Sequence, residues 1–293
     1  MPHAHLWRTD ALMLLTAAIW GSTFVAQQLG MASVGPFAYT AARMTLGLAL
    51  IAPLWSWRGG PFAAVPRVDS TGLWRDGTLL GLVLFAAINL QQVGLLGTSV
   101  SNAGFITGLY VVLVPLLLAL GGRRVAAPVW LAVALATAGL YLLSVQPDAS
   151  IAPGDWLQLG GALLWAVHVL LVGRYARRHD ALRLAVVQYA VAAALSWGVA
   201  ALRAEPMGPQ ALWAAAGAIA WGGVLSIGVA YTLQVVAQRH AHPTHAAIIY
   251  SSEGVFSALG GWWVLGEAIG LRGWTGAALI VAGMVVAQLG QRD

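Results

Sequence analysis

The chain has 293 residues, of which 59% are hydrophobic and only 9% charged, and its mean hydropathy is +0.78. A soluble domain carries about 25% charged residues, so too little polar surface is available to cover one, and the composition is that of an integral membrane protein. Every basic residue is an arginine and cysteine is absent, which excludes a P-loop lysine, a Schiff-base lysine, disulfides and thiolate metal sites.

A bilayer core near 30 Å needs about 20 apolar residues as helix. Ten runs meet or approach that length. The first, 10–29, is too long for a cleaved signal and no small-x-small site follows it, so it reads as a span. It carries Trp20, Thr23 and Gln27 on one face. The second, 35–56, holds Arg43. The third, 76–96, holds Asn89 and Gln92, and the fourth, 100–120, holds Thr107 and Tyr110. Pro115 removes an amide donor in that fourth run and predicts a bend near the carbonyl of Val111, either static or gating. The fifth run is 128–145. The sixth, 155–173, contains His168, and the seventh is 184–202. The eighth, 211–236, leads into a Tyr231, Gln234, Gln238 stripe. The ninth, 246–265, carries Tyr250, Glu253 and Ser257, and the tenth is the Gly-rich 273–290. All are continuously apolar, unlike the alternating strands of a membrane barrel.

With the N-terminus inside, Arg8, Arg58, Arg67, Arg75, Arg123, Arg124, Arg174, Arg177, Arg178, Arg183, Arg239 and Arg292 fall in cytoplasmic loops. Only Arg203 and Arg272 fall outside, with Asp148, Asp155, Glu205 and Glu267. The positive-inside rule then places both termini in the cytoplasm, and it accounts for the basic pI without nucleic acid. Most tryptophans sit near span ends as an interfacial belt; Trp20, Trp165, Trp197 and Trp221 lie deeper. Gly77/Gly81 and Gly104/Gly108 have the spacing that allows close helix packing.

The two halves repeat. An offset of 145 places "AAIWGSTFV" on "ALLWAVHVL", aligning Trp20 with Trp165. An offset of 143 places "SNAGFITGLY" on "THAAIIYSSE", and 144 aligns Trp130 and Gly139 with Trp274 and Gly283. The units are 1–146 and 147–293. Each holds five spans, an odd number, so the second copy is inverted, the arrangement of secondary transporters with a substrate site near the midplane. The expected fold is all-α, with ten transmembrane helices in two inverted five-helix repeats.

The segments "IWGSTFV", "PFAYTAARMTLGLAL", "FITGLYVVLVPLLLAL" and "THAAIIYSSEGVFSALGGWWVLGE" together resemble the EamA-type family of the drug/metabolite transporter superfamily, over nearly the whole chain. The resemblance implies an exporter or permease of the bacterial inner membrane handling amino acids or other small metabolites. One departure is visible: Gly266-Glu267 follows the ninth run, whereas Arg123-Arg124 follows the fourth.

Charges at membrane depth are expensive and face a cavity or a partner. Arg43 and Glu253 are the ones well inside, with His168 at a depth similar to Glu253. An Arg43–Glu253 pair is within reach. The repeat aligns Thr23 with His168, Asn89 with Tyr231, Gln92 with Gln234, Thr107 with Tyr250 and Tyr110 with Glu253. Matched polar faces predict one shared cavity lined by Trp20, Arg43, Asn89, Gln92, Tyr110, His168, Tyr231, Tyr250 and Glu253. The Arg239, His240, His242, His245 tract has metal-like residues but no acidic ligand beside it in sequence, and reads as a loop.

The leading functional class is a secondary transporter of small amphipathic or zwitterionic metabolites, working by alternating access with protons as coupling ion and no cofactor or metal. The rival from another class is a membrane enzyme using a His168/Glu253 acid–base pair. A channel or receptor lacks its expected selectivity ring or signalling domain.

Overall fold

The computed structural model describes residues 3–56, 70–98, 100–144, 152–265 and 269–289. Arg58, Arg67, Asp148, Glu267 and Arg292 lie outside these residues. The described chain is helical throughout: α1 (His3–Gly30), α2 (Pro36–Ile51), α3 (Ser70–Gly94), α4 (Val100–Gly108), α5 (Tyr110–Leu120), α6 (Ala127–Ser144), α7 (Pro153–Tyr175) and α8 (Ala181–Leu202). After α8 come α9 (Pro209–Ala214), α10 (Ala216–Ala220), α11 (Thr232–Gln238), α12 (Pro243–Tyr250), α13 (Glu253–Gly260) and α14 (Leu271–Leu289).

Local chemistry sets several boundaries. Proline opens α2, α7, α9 and α12, where its missing N–H costs nothing. The Asp180 side chain accepts from the Arg183 amide at 3.0 Å and caps α8. At the end of α5 the Arg123 amide reaches the Leu118 carbonyl (2.9 Å) and the Gly122 amide reaches Ala119 (2.9 Å). Gly122 holds φ +77°, which a side chain would strain.

Seven stretches among the described residues are long and apolar enough to cross a bilayer: Trp7–Gly30, Pro36–Trp55, Gly72–Gly94, Ala103–Leu120, Pro153–Tyr175, Ala181–Leu202 and Ala216–Gln238. Two further apolar helices, Ala127–Leu143 and Leu271–Ala287, are shorter. The ninth run, expected as one helix, is instead broken at Ser251-Ser252 and divides into α12 and α13. The fourth run is broken at Leu109, between α4 and α5. That break lies two residues before the Val111 carbonyl, which Pro115 leaves without its donor. The eighth run is π-helical from Trp221 to Tyr231, a geometry that widens the helix and occurs often at functional sites.

The most extensive helix contacts all join residues before 146 to residues after it: α6 with α14, α3 with α7 and α8, α2 with α8 and the π-helical stretch, and α1 with α13. Small residues permit the approach. A Cβ on Gly139 would lie 2.5 Å from the Gly276 carbonyl oxygen, and the reverse is equally true. Gly77 and Gly81 face Val187 and Val191 of α8. Gly108 is tight against Leu140, whereas Gly104 is loose, with only Ser257 Oγ at 3.8 Å. Gly139→Leu is expected to drive α6 off α14 and to remove most of the folded, monodisperse protein in detergent. Leu279→Ala on the same helix pair should be far milder, since overpacking against backbone has no rotamer escape. Size-exclusion yield and thermal melting check both.

Large apolar side chains are exposed between the two ends, Leu50, Leu82, Leu163, Trp74, Trp213 and Val281 among them, as a lipid-facing surface requires. Polar tethers gather at the two ends. At one end Arg177 donates to the Ala241 carbonyl, Arg239 to Ala176, His179 Nε2 to Asp76 (2.8 Å) and His245 Nε2 to Asp10 (2.8 Å). At the other, the Glu205 carboxylate accepts from the Ala38 amide (2.8 Å), the Gly154 amide donates to Gly97, and Thr98 bonds Asp155. Most of the expected inside arginines thus share one end. Asp10 supplies an acid beside His245 that sequence proximity hid, yet no group of three metal-ligand residues occurs among the described residues.

Candidate functional site: a polar cavity between broken helices

Midway along the bundle a cavity opens among α1, α2, α3, the α4–α5 break, α7, the π-helical stretch and α13. Its aromatic wall centres on Tyr231, at the C-terminal end of the π-helical stretch. The Trp20 ring lies 4.7 Å from it and Trp165 stacks at 5.9 Å. Tyr250 packs on the far side of Trp20 at 5.3 Å. Trp165 is fixed by donating Nε1 to Gln91 Oε1 at 2.9 Å.

The polar wall carries two ionisable side chains of opposite type. Arg43 is 2% exposed, stands over the Tyr39 ring at 5.2 Å and donates Nη2 to Gln92 Oε1 at 3.1 Å. Its Nε has no partner. Glu253 is 4% exposed and its Oε1 has no partner either. The Tyr110 hydroxyl stands near this carboxyl without closing a hydrogen bond of ordinary geometry. The Arg43–Glu253 ion pair that depth alone allowed does not form: both side chains line the cavity with no salt bridge between them. Trp20 Nε1, Gln27 Oε1 and Gln234 Oε1 are also buried there without partners. Buried polar atoms are bonded in the great majority of cases, so this many bare atoms around one void mark a place built to meet a guest or water. The free space is about 30 Å³, room for roughly two waters.

Five of the nine sequence-predicted residues, Trp20, Arg43, Tyr110, Tyr231 and Glu253, line the cavity. The other four stand behind it. Gln92 is the hydrogen-bond support of Arg43. Asn89 donates to Ser196 Oγ (3.0 Å) and to the Phe85 carbonyl (2.8 Å). Tyr250 backs Trp20. His168 donates Nε2 to Gln188 Oε1 at 3.0 Å, and its Nδ1 has no partner. The His168–Glu253 hydrogen bond that an enzyme dyad needs is therefore not formed. A helix turns 100° per residue, and depth in a span does not say which face a side chain takes.

Lining residues outside the sequence-predicted set include Gln91, Trp165 and Ser226. Trp165 was legible as the repeat counterpart of Trp20. Gln91 and Ser226 carried no signal, being single polar residues among apolar neighbours. Trp197 and Trp221 are deep in sequence but not in the site: they donate to Thr45 and Ser22, and Trp221 is exposed.

This architecture defines a class: a multi-pass helical membrane protein with a polar, aromatic-walled cavity buried between its helices. The profile of the EamA-like transporter family matches residues 7–145 and again 152–288. The chain is also 30% identical over 281 residues to an uncharacterized transporter of Archaeoglobus fulgidus, covering 96% of this chain and 85% of that one. A protein of known crystal structure superposes with a TM-score of 0.76 at 22% identity, over 97% of this chain and 98% of the other, which shows the shared fold. The chain belongs to the EamA-like transporter family, and it is a membrane transporter.

Proposed function

We propose that the protein is a secondary transporter of small zwitterionic or amphipathic metabolites, amino acids being the type, which it moves through the bacterial inner membrane by alternating access. The observation that carries this is the pair of ionisable groups of opposite type, Arg43 and Glu253, facing one aromatic-walled cavity without bonding to each other. A carboxylate suits the guanidinium and an ammonium suits the Glu253 carboxylate, while Trp20, Trp165 and Tyr231 offer faces to a cation or an apolar side chain. Asn89, Gln92, His168 and Tyr250 belong to the same site as its support.

All ten runs cross the bilayer in this proposal, as inverted repeats 1–146 and 147–293. Symmetry supports it: the breaks at Leu109 and Ser252 are 143 residues apart, the same offset that aligns their segments. Discontinuous helices at a repeat interface are where transporters place substrates. The void of about 30 Å³ is too small for an amino acid, so the halves rock apart to load it. Glu253, the single lining carboxyl among the described residues, is the group that exchanges a proton.

Purified protein in liposomes tests this against a panel of amino acids under an imposed pH gradient. Saturable, gradient-dependent accumulation of a zwitterion is expected; leak without saturation, or no zwitterion flux, would reject it. Orientation is tested separately. Cysteine is naturally absent, so Arg177→Cys reports cleanly. In intact cells a membrane-impermeant thiol reagent should leave position 177 unlabelled until the membrane is opened; labelling before that reverses the topology.

A further inference from the structure

A second and larger cavity, about 1230 Å³, lies at the arginine-rich end of the molecule, away from the aromatic site. Arg123 and Arg124 enter it from the turn after α5, and Arg174, Arg177 and Arg178 from the end of α7 and the turn that follows. His240, His242 and His245 line the side nearest α12. No aspartate or glutamate lines it among the described residues. Its inner wall is apolar: Leu118, Val129, Leu170, Ile248 and Ala287.

The positive-inside rule explains why arginines occupy this end. It does not explain why five converge on one hollow lined by no carboxylate among the described residues, where Asp10 at the edge is bonded to His245. Of the other described arginines, Arg75 meets Asp76 at 3.1 Å, Arg203 meets Glu205 at 3.9 Å, Arg239 lies in the field of Asp180, and Arg183 and Arg272 lie singly over the Trp55 and Tyr141 rings. None of the five belongs to an ion pair among the described residues. The backbone is also arranged to hold two of them in place, since the Gly122 turn at the end of α5 fixes where Arg123 and Arg124 leave the helix. Arg177 is pinned by its bond to the Ala241 carbonyl at 3.2 Å. The field in the hollow is felt by His242, which burial and then Arg177, His245 and Arg123 hold below the ordinary histidine range. Like charges crowded beside an apolar wall repel, and an anion relieves them.

We propose that this cavity binds a phosphate anion, and that its source is an anionic phospholipid of the adjoining leaflet. The phosphate sits among Arg123, Arg124, Arg174, Arg177 and Arg178, and the glycerol and first acyl carbons lie along Leu118, Val129, Leu170 and Ile248. Guanidinium groups match phosphate oxygens two at a time. Basic pockets between membrane helices hold anionic headgroups by this chemistry. The apolar wall and the volume select the lipid over a free ion, which would use neither.

The test uses the full chain in detergent and does not involve transport, so it stands or falls separately from the function proposed above. Phosphatidylglycerol, phosphatidylcholine and inorganic phosphate are titrated in turn, reading retained lipid by native mass spectrometry and thermal stability by melting. Phosphatidylglycerol should be retained and raise Tm, with phosphatidylcholine and inorganic phosphate giving little. Arg123→Gln/Arg177→Gln should weaken phosphatidylglycerol binding roughly thirtyfold, from two headgroup charges. Arg8→Gln/Arg75→Gln, with the same charge change outside the cavity, should leave it intact. If the Arg123/Arg177 variant is poorly folded, Arg123→Lys/Arg177→Lys keeps the charge and should lose part of the retention by losing bidentate contacts. Equal loss in both glutamine variants would reduce the effect to general attraction and overturn the site. Saturable binding of inorganic phosphate as strong as that of the lipid would overturn the lipid assignment.

Discussion

Glu253→Gln in liposomes is expected to abolish substrate accumulation driven by a pH gradient while leaving exchange of labelled for unlabelled substrate. The basis is geometric. Among the described residues Glu253 is the sole carboxyl lining the aromatic cavity; it begins α13 immediately after the helix break, and its Oε1 accepts no hydrogen bond from them. Arg43 does not neutralise it. Glutamine keeps the shape and the hydrogen-bonding reach but cannot carry a proton across. A rocking cycle with substrate bound in both directions needs no proton, so exchange persists; net uphill movement needs one and stops. Continued accumulation by the variant, with the pH gradient as the only driving force, would show that Glu253 is not the coupling group. Tyr110→Phe, which removes the neighbouring hydroxyl, should shift the pH profile of uptake without abolishing accumulation.

Arg43→Ala is expected to raise KM for carboxylate-bearing substrates by about thirtyfold or more, corresponding to loss of ~2 kcal/mol when one member of a buried charged contact is truncated. The guanidinium is held by Tyr39 on one face and Gln92 at one end, and its Nε stays bare toward the cavity. That leaves donors available without rearrangement, which is the preorganisation that makes such contacts strong. The control is the substrate: the decarboxylated amine analogue offers nothing to Arg43, so its transport should change little. Equal losses for the amino acid and the amine would mean that Arg43 only braces α2 against α3. Arg43→Lys restores charge but not the fork, and its KM should fall between the two.

Much of this protein could be read from its residues in order. Apolar run length placed the helices, because a bilayer demands about 20 apolar residues whatever the tertiary fold. Prolines 36, 153, 209 and 243 sit at helix starts for a reason local to each backbone, a signal that run length left unused. Burying Arg43 and Glu253 in an apolar environment is costly enough that their presence alone announced a cavity. What only the tertiary structure decided was which side chains turn toward that cavity. Tyr110 and Tyr231 line it, while His168 and Asn89, equally polar, turn instead to Gln188 and Ser196 on α8. Sequence spacing gives the face of one helix relative to itself, but not its rotation against neighbours. That rotation is set by contacts such as Gly21 of α1 lying against the Glu253 carbonyl, where an added Cβ would come within 2.4 Å. The break at Leu109 was legible through Pro115, which strips the Val111 carbonyl of its donor. The break at Ser251-Ser252 was not: no proline interrupts that apolar run, and the packed neighbours determine where the backbone gives way. Likewise the basic cavity gathers arginines 50 residues apart in the chain, and only the packing of α5, α7 and α12 brings their charges into one field.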